Sequence, residues 1–320
     1  MNKVTRFVAA AGLIGLAFEA GHILGGEGAS PGRSADMKES FQSGVLSMSK
    51  VEQTRSVETR IEINAPIEAV WKALTDGEEL MRWFPLQARV KPGVGGSVWM
   101  SWGGAWEGES PIEVWEPNKR LRAVWPQTGE SHAEGPTKVA VDYYLESRGG
   151  TTVLRLVHSG FGVGAAWDKE YDGVTRGWAF ELRGLRHYLE NHRGKNRRVI
   201  WTRKGTKLAA SEAMRRVIGQ AGQVVRGKIE GLKEGDAYRL ELVGADRPIE
   251  GIVAVNNAPR SFSGTVKGLN NGLFRCEIES CGKGGSDEVW VWFSTYGLEA
   301  SEVEKLTRHL EQTLESTLAS

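Results

Sequence analysis

Residues Ile61 to Phe84 read IEINAPIEAVWKALTDGEELMRWF. Ile61 and Ile63 alternate with Glu62 and Asn64, the period of two that marks a half-buried strand. Ala65-Pro66 ends it, because proline brings no N–H to a ladder and presets φ for a turn or a first helical residue. Val70, Trp71 and Leu74 then recur at helical spacing. Thr75-Asp76-Gly77 is predicted to close that helix, with the glycine in the left-handed region. Glu78 is predicted to open a second short helix that ends at Trp83-Phe84-Pro85.

Working outward, turns and alternating runs follow in order. Gly93-Val94-Gly95-Gly96 precedes Ser97–Trp102, Gly103-Gly104 leads into Ala105–Trp115, and Glu116-Pro117-Asn118 leads into Leu121–Trp125. A polar loop over 129–136 comes before Val139–Leu145. Gly149-Gly150 then forms a two-residue hairpin turn into Thr151–His158. These hairpin signals exclude a wound parallel sheet. A last helix over about 168–191 carries Val174, Trp178, Leu182, Leu185 and Leu189 on one broad stripe.

Several of these pieces together resemble a known family. They are Ala65-Pro66 with Glu68, Val70-Trp71 and Ala73-Leu74-Thr75; Trp83-Phe84; Glu116-Pro117 followed by Leu121 and Trp125; and LRLVHSGF at 154–161 before the long helix. Over about 57–192 they resemble the activator of heat-shock protein 90 ATPase homologue-like family of the START/Bet v 1 (SRPBCC) superfamily. The resemblance implies an α+β helix-grip fold, a curved antiparallel sheet around a long C-terminal helix. Two short helices would plug one end, with a cavity between.

The second half repeats that order of elements without its signatures. Gly235–Leu240 falls where Gly95–Met100 did, and 248–255, 261–266, 273–278 and 288–294 follow as the later strands did. Val199–Thr202 serves as a first strand and Lys207–Ile218 as a shortened helix. Val303, Leu306, Leu310, Leu314 and Leu318 stripe a final helix. The expected organisation is a leader over 1–50, a helix-grip domain over 55–194 and a divergent second copy over 197–320.

Composition bounds the function. The 320 residues carry a net charge of +1, 40% hydrophobic residues and twelve tryptophans. That balance argues against a bulk electrostatic commitment to nucleic acid or anionic lipid. Lys3 and Arg6 precede an apolar run, Phe7 to Phe18, the length of a signal-peptide core and too short to span a bilayer. The expectation is a cytoplasmic protein with a dispensable leader, Met37 or Met48 being other starts; export is the alternative. Cys276 and Cys281 are read as reduced thiols, a local redox pair being the alternative, with no metal site. The basic stretch Arg193 to Lys204 reads as a solvated linker leading into a strand, a nucleic-acid patch being the alternative.

Strand parity sets the candidate site. Leu154, Leu156 and His158 fall opposite Arg155, Leu121 and Trp125 opposite Arg122, and Tyr143 opposite Asp142. Trp83 and Phe84 close the plug, Phe161 follows the last strand, and Trp178 and Leu182 lie on the gripped helix. An apolar, aromatic pocket with a few polar groups suits a small molecule; the plain alternative is a filled core. His158 is read as a structural histidine, with acid–base chemistry as the rival. Asp142, Glu107 and Glu113 are read as solvated. Phosphate-cradle, dinucleotide and zinc-helix motifs do not occur, and no catalytic residue, metal ligand or cofactor is assigned. The leading expectation is non-catalytic binding of a small hydrophobic or amphipathic molecule in the first domain. The rivals are a cyclase or dehydratase using the same cavity, or a chaperone-ATPase contact implied by the family resemblance.

Overall fold

The computed structural model describes residues 53–103, 106–125, 138–220, 222–243, 248–279 and 287–319. The leader, the loop over 129–136, Gly104, Cys281 and the turn at 282–285 lie outside the described residues. Two seven-stranded antiparallel sheets are each followed by a helix.

The first unit runs β1 (Arg55–Ile63), α1 (Ile67–Thr75), α2 (Gly77–Met81), β2 (Gln87–Lys91), β3 (Ser97–Gly103), β4 (Trp106–Glu116), β5 (Arg120–Val124), β6 (Ala140–Arg148), β7 (Thr151–Phe161) and α3 (Ala165–His187). A π-helical turn over Tyr188–His192 ends α3. The second runs β8 (Arg197–Thr206), α4 (Ala210–Ile218), β9 (Val224–Arg226), β10 (Ala237–Leu242), β11 (Ile249–Asn257), β12 (Ser261–Val266), β13 (Gly272–Glu279), β14 (Asp287–Tyr296) and α5 (Ala300–Ala319). The strand orders are β1-β7-β6-β5-β4-β3-β2 and β8-β14-β13-β12-β11-β10-β9. They are one topology with the numbering advanced by seven. Two tandem helix-grip units therefore make up the described chain.

Local chemistry explains the elements and corrects one expectation. Pro66 stands before α1 with φ −65°. Asp76, and not a left-handed Gly77, divides the two helices: its carboxylate accepts from the N–H groups of Glu78 and Glu79 at 2.9 and 3.0 Å, the N-cap arrangement. Gly77 is instead the first residue of α2, where a Cβ would come within 3.0 Å of the Ala88 carbonyl oxygen. The Gly149-Gly150 turn is as expected, with φ of 58° and 95° suited to a tight hairpin. The short strands β2 and β9 were not expected.

The core follows the predicted parity. Val174, Trp178, Leu182 and Leu185 of α3 are buried with Leu154 and Leu156 of β7 and Leu121 of β5. α3 also has a second, outward stripe, Arg176, Phe180, Arg183 and His187, that meets the second unit. Arg176 reaches Glu277 and Glu279 at 2.7 and 2.9 Å, and Phe180 lies under the Arg275 guanidinium at 4.3 Å. Arg183 donates to Glu234 at 2.5 Å, and His187 bonds the Asn271 carbonyl at 2.6 Å. This is why β13 is buried on both faces. Phe274, Cys276 and Ile278 join the second core, while Arg275 and Glu277 face α3. Cys276 is an enclosed free thiol. No helix among the described residues is long and apolar enough to cross a membrane.

Candidate functional site

The grip of the first unit holds an aromatic cluster centred on Trp178, which is fully buried. Phe84, Trp125, Tyr143 and His158 surround it with ring centroids 5.6, 6.5, 6.1 and 6.1 Å away. The register accounts for the assembly. Leu121 pairs with Tyr143 across β5 and β6, and Tyr143 with Leu156 across β6 and β7. His158 pairs with Val141 and Val57, so its ring shares their face.

Within the grip a void leaves about 20 Å³ for the centres of water-sized spheres, enough for one water. Phe84, Leu121, Trp125 and Tyr143, all sequence candidates, border it. Leu154, Leu156, Phe161 and Leu182 are buried around it without bordering it. Trp83 stacks on Phe84 at 5.0 Å and donates to the Ala73 carbonyl at 2.9 Å. It anchors the plug. Sequence reasoning missed Val98, Met100 and Ser110 on the wall. Parity was the available signal, since Val98, Met100 and Trp102 alternate along β3 and Ser110 shares a face with Ile112 in β4.

Polar groups on and near this wall are incompletely matched. The Trp178 indole donates to Nδ1 of His158 at 3.0 Å, which leaves the neutral imidazole's proton on Nε2. That Nε2, Nε1 of Trp125 and Oγ of Ser110 are all enclosed without a hydrogen-bond partner. His158 is therefore only half satisfied, a departure from the structural reading. Burial pushes its pKa down to about 3, because an imidazolium loses its hydration there. Burial, then the Glu181 carboxyl, pushes the Tyr143 phenol up. Both rings are neutral hydrogen-bonding groups across ordinary pH.

Of the carboxylates expected in solvent, Asp142 is not there, while the Glu113 side chain stays 34% exposed and Glu107 is exposed. Asp142 is 3% exposed, bonded by Arg120 at 3.0 and 2.8 Å and by Arg122. Glu113 accepts from Arg122 at 3.1 Å and from Lys138. These pairs stitch the outer face of the sheet. Among the described residues no cluster of His, Cys, Asp and Glu forms a metal site.

Residues 64–190 match the family model described as Activator of Hsp90 ATPase homolog 1-like protein. Protein MLL2253 from Mesorhizobium loti is 27% identical, with a TM-score of 0.38 over 43% of this chain and 98% of that one. The Aha1 dimer from Colwellia psychrerythraea is 22% identical, with a TM-score of 0.37 over 44% of this chain and 99% of that one. The di-domain ARO/CYC BexL from the BE-7585A biosynthetic pathway is 15% identical, with a TM-score of 0.38 over 83% of this chain and 96% of that one. Likenesses at these TM-scores carry nothing about what this chain binds. No curated protein matches it.

Proposed function

We propose, from the premise that residues 64–190 belong to the Activator of Hsp90 ATPase homolog 1-like family, that the first unit binds a small amphipathic molecule without transforming it. The observation that carries this reading is the pair of enclosed, unpartnered groups at Trp125 and Ser110 in the wall, with the unpartnered Nε2 of His158 on a ring 5.6 Å from that of Trp125. Buried polar groups are costly when unmatched. The two ring N–H groups can only donate and the hydroxyl can also donate, so the fitting ligand has an apolar body and accepting oxygens such as a ketone or carboxyl. The body would enlarge the small void by shifting its aromatic wall. Its burial would contribute affinity at about 25 cal/mol per Å² before the costs of association.

A cyclase or dehydratase would need a group that exchanges protons near neutral pH. His158, with Nδ1 occupied by Trp178 and its pKa down at about 3, does not supply one, nor does the raised Tyr143 phenol; Glu181, pushed up to about 7, borders the void between the units and not the one in the grip. These observations favour binding over catalysis. A chaperone contact has only the family description behind it. Gently purified protein compared by native and denaturing mass spectrometry tests the reading. A discrete extra mass lost on denaturation is expected, and Trp125→Phe, which keeps a ring but removes the indole N–H, should bind that molecule about five-fold more weakly. Bare protein that also takes up no apolar ketone or acid from a panel would end this reading.

A further inference from the structure

A second void of similar size, about 20 Å³, lies where the two units meet. Phe84 borders both voids, and the charge of Glu181 beside the junction void acts on Tyr143 beside the other. The two spaces are neighbours with the Phe84 ring between them. From the second unit, Arg197, Arg275 and Trp290 complete the junction wall.

Arg197 is the odd cation in this cluster. Arg275 is matched by Glu181 at 3.3 Å and by Glu277, and Arg176 by Glu277 and Glu279. Nη2 of Arg197 donates instead to the carbonyls of Phe84 and Pro85, at 3.0 and 2.5 Å. Its Nε is enclosed without a partner, and it forms no ion pair with any described residue. Burial pulls its pKa down, the signature of a cation held away from water. Nε1 of Trp290, on the same wall, is a second enclosed donor without a partner. The stretch read from sequence as a solvated linker thus delivers its Arg197 into the seam between the units.

A part-buried guanidinium whose attracting carboxyl, Glu181, is ion-paired to Arg275 and pushed up to about 7 by burial is costly, and the group that best relieves it is a planar oxyanion. The junction void is too small for a whole ligand but admits the oxygen end of one. We infer that the junction is the acid subsite of the first unit's cavity: the ligand is an amphipathic acid whose body lies in the grip and whose carboxylate reaches past Phe84 to Arg197 and Trp290. This rests on the binding reading above. It also gives the Arg197 bonds to the Phe84 and Pro85 carbonyls a purpose, because the side chain that takes the anion holds the backbone of the ring between the voids.

Two fluorescent probes with one aromatic body test it on the full chain: 8-anilinonaphthalene-1-sulfonate and its uncharged parent N-phenyl-1-naphthylamine. The readout is the ratio of their two affinities. The anionic probe is expected to bind about ten-fold tighter or more, the scale of one charge-assisted hydrogen bond. Arg197→Gln should bring the ratio close to one, and Arg197→Lys should restore most of it. If the uncharged probe binds and the ratio is already near one, or survives Arg197→Gln, the acid subsite is wrong and the binding reading stands. If neither probe binds, both fall. Should Arg197→Gln lower the melting temperature, Trp290→Phe decides, since it leaves the bonds to the Phe84 and Pro85 carbonyls alone: a reduced ratio supports the subsite and an unchanged one overturns it.

Discussion

His158 holds one hydrogen bond, from Trp178, and offers a second donor that no protein atom takes. Its pKa, depressed to about 3, ties it to stability. As pH falls below the ordinary imidazole value of about 6.5, the unfolded chain takes up a proton that the folded chain refuses. Its contribution is whole above that value and shrinks by up to about 1.4 kcal/mol per pH unit on the way down to the folded pKa. Moving from pH 7.5 to 5 should therefore cost the natural protein roughly 2 kcal/mol more than His158→Gln, which retains an acceptor for Trp178. Urea midpoints at the two pH values measure this, since other titrating groups are common to both proteins. Parity in the sequence brought His158, Tyr143, Trp125 and Leu121 to one face correctly. It did not tell which ring nitrogen would be occupied or that Trp83 would turn to the Ala73 carbonyl, because those outcomes depend on neighbours distant in the chain.

At the scale of elements, the HSGF segment owes its glycine to geometry. Gly160 has φ of +96°, and a Cβ there would sit 2.2 Å from the Lys138 carbonyl oxygen. Gly160→Ala meets both obstacles and is expected to cost at least about 2 kcal/mol, seen as a lowered melting temperature. The strands themselves were legible from alternation and glycine turns, as was the inner stripe of α3. Its outer stripe was not, because Arg176, Arg183 and His187 look like an ordinary solvated helix face until β13 is laid against them. Asp142 escaped for a related reason: a lone carboxylate on a strand reads as exposed, and only the register that sets Arg122 opposite Asp142, with Arg120 two residues along the same neighbouring strand, encloses it.

At the scale of the whole molecule, Arg176 fastens the units together. It is 14% exposed, while Glu277 and Glu279 beneath it are 2% and 13% exposed. Arg176→Ala would leave two neighbouring buried carboxyls facing each other and is expected to cost about 3–5 kcal/mol, visible as a lower urea midpoint and, as the units part, two transitions in place of one. The junction should also respond to pH through Glu181, whose carboxyl burial pushes up to about 7 against the pull of Arg275 and Arg197. Above that value it ionises and supplies Arg197 with an internal counter-charge, while Glu277 and Glu279 remain engaged with Arg176 and Arg275. The preference for the anionic probe should thus be larger at pH 6 than at pH 8, and Glu181→Gln should flatten the difference. The sandwiching of α3 has a further consequence in the language of stacked repeats. One unit's helix is also the surface on which the next unit's sheet is laid, so the pair has an inside and an outside. α3 bears an apolar and ionic stripe on its far side, whereas α5 keeps only Leu314 and Thr317 buried and turns Glu302, Glu304, Lys305, Arg308 and Glu311 outward. The outer faces of the two helices therefore differ: that of α3 is taken up by the second sheet, and that of α5 is exposed and charged.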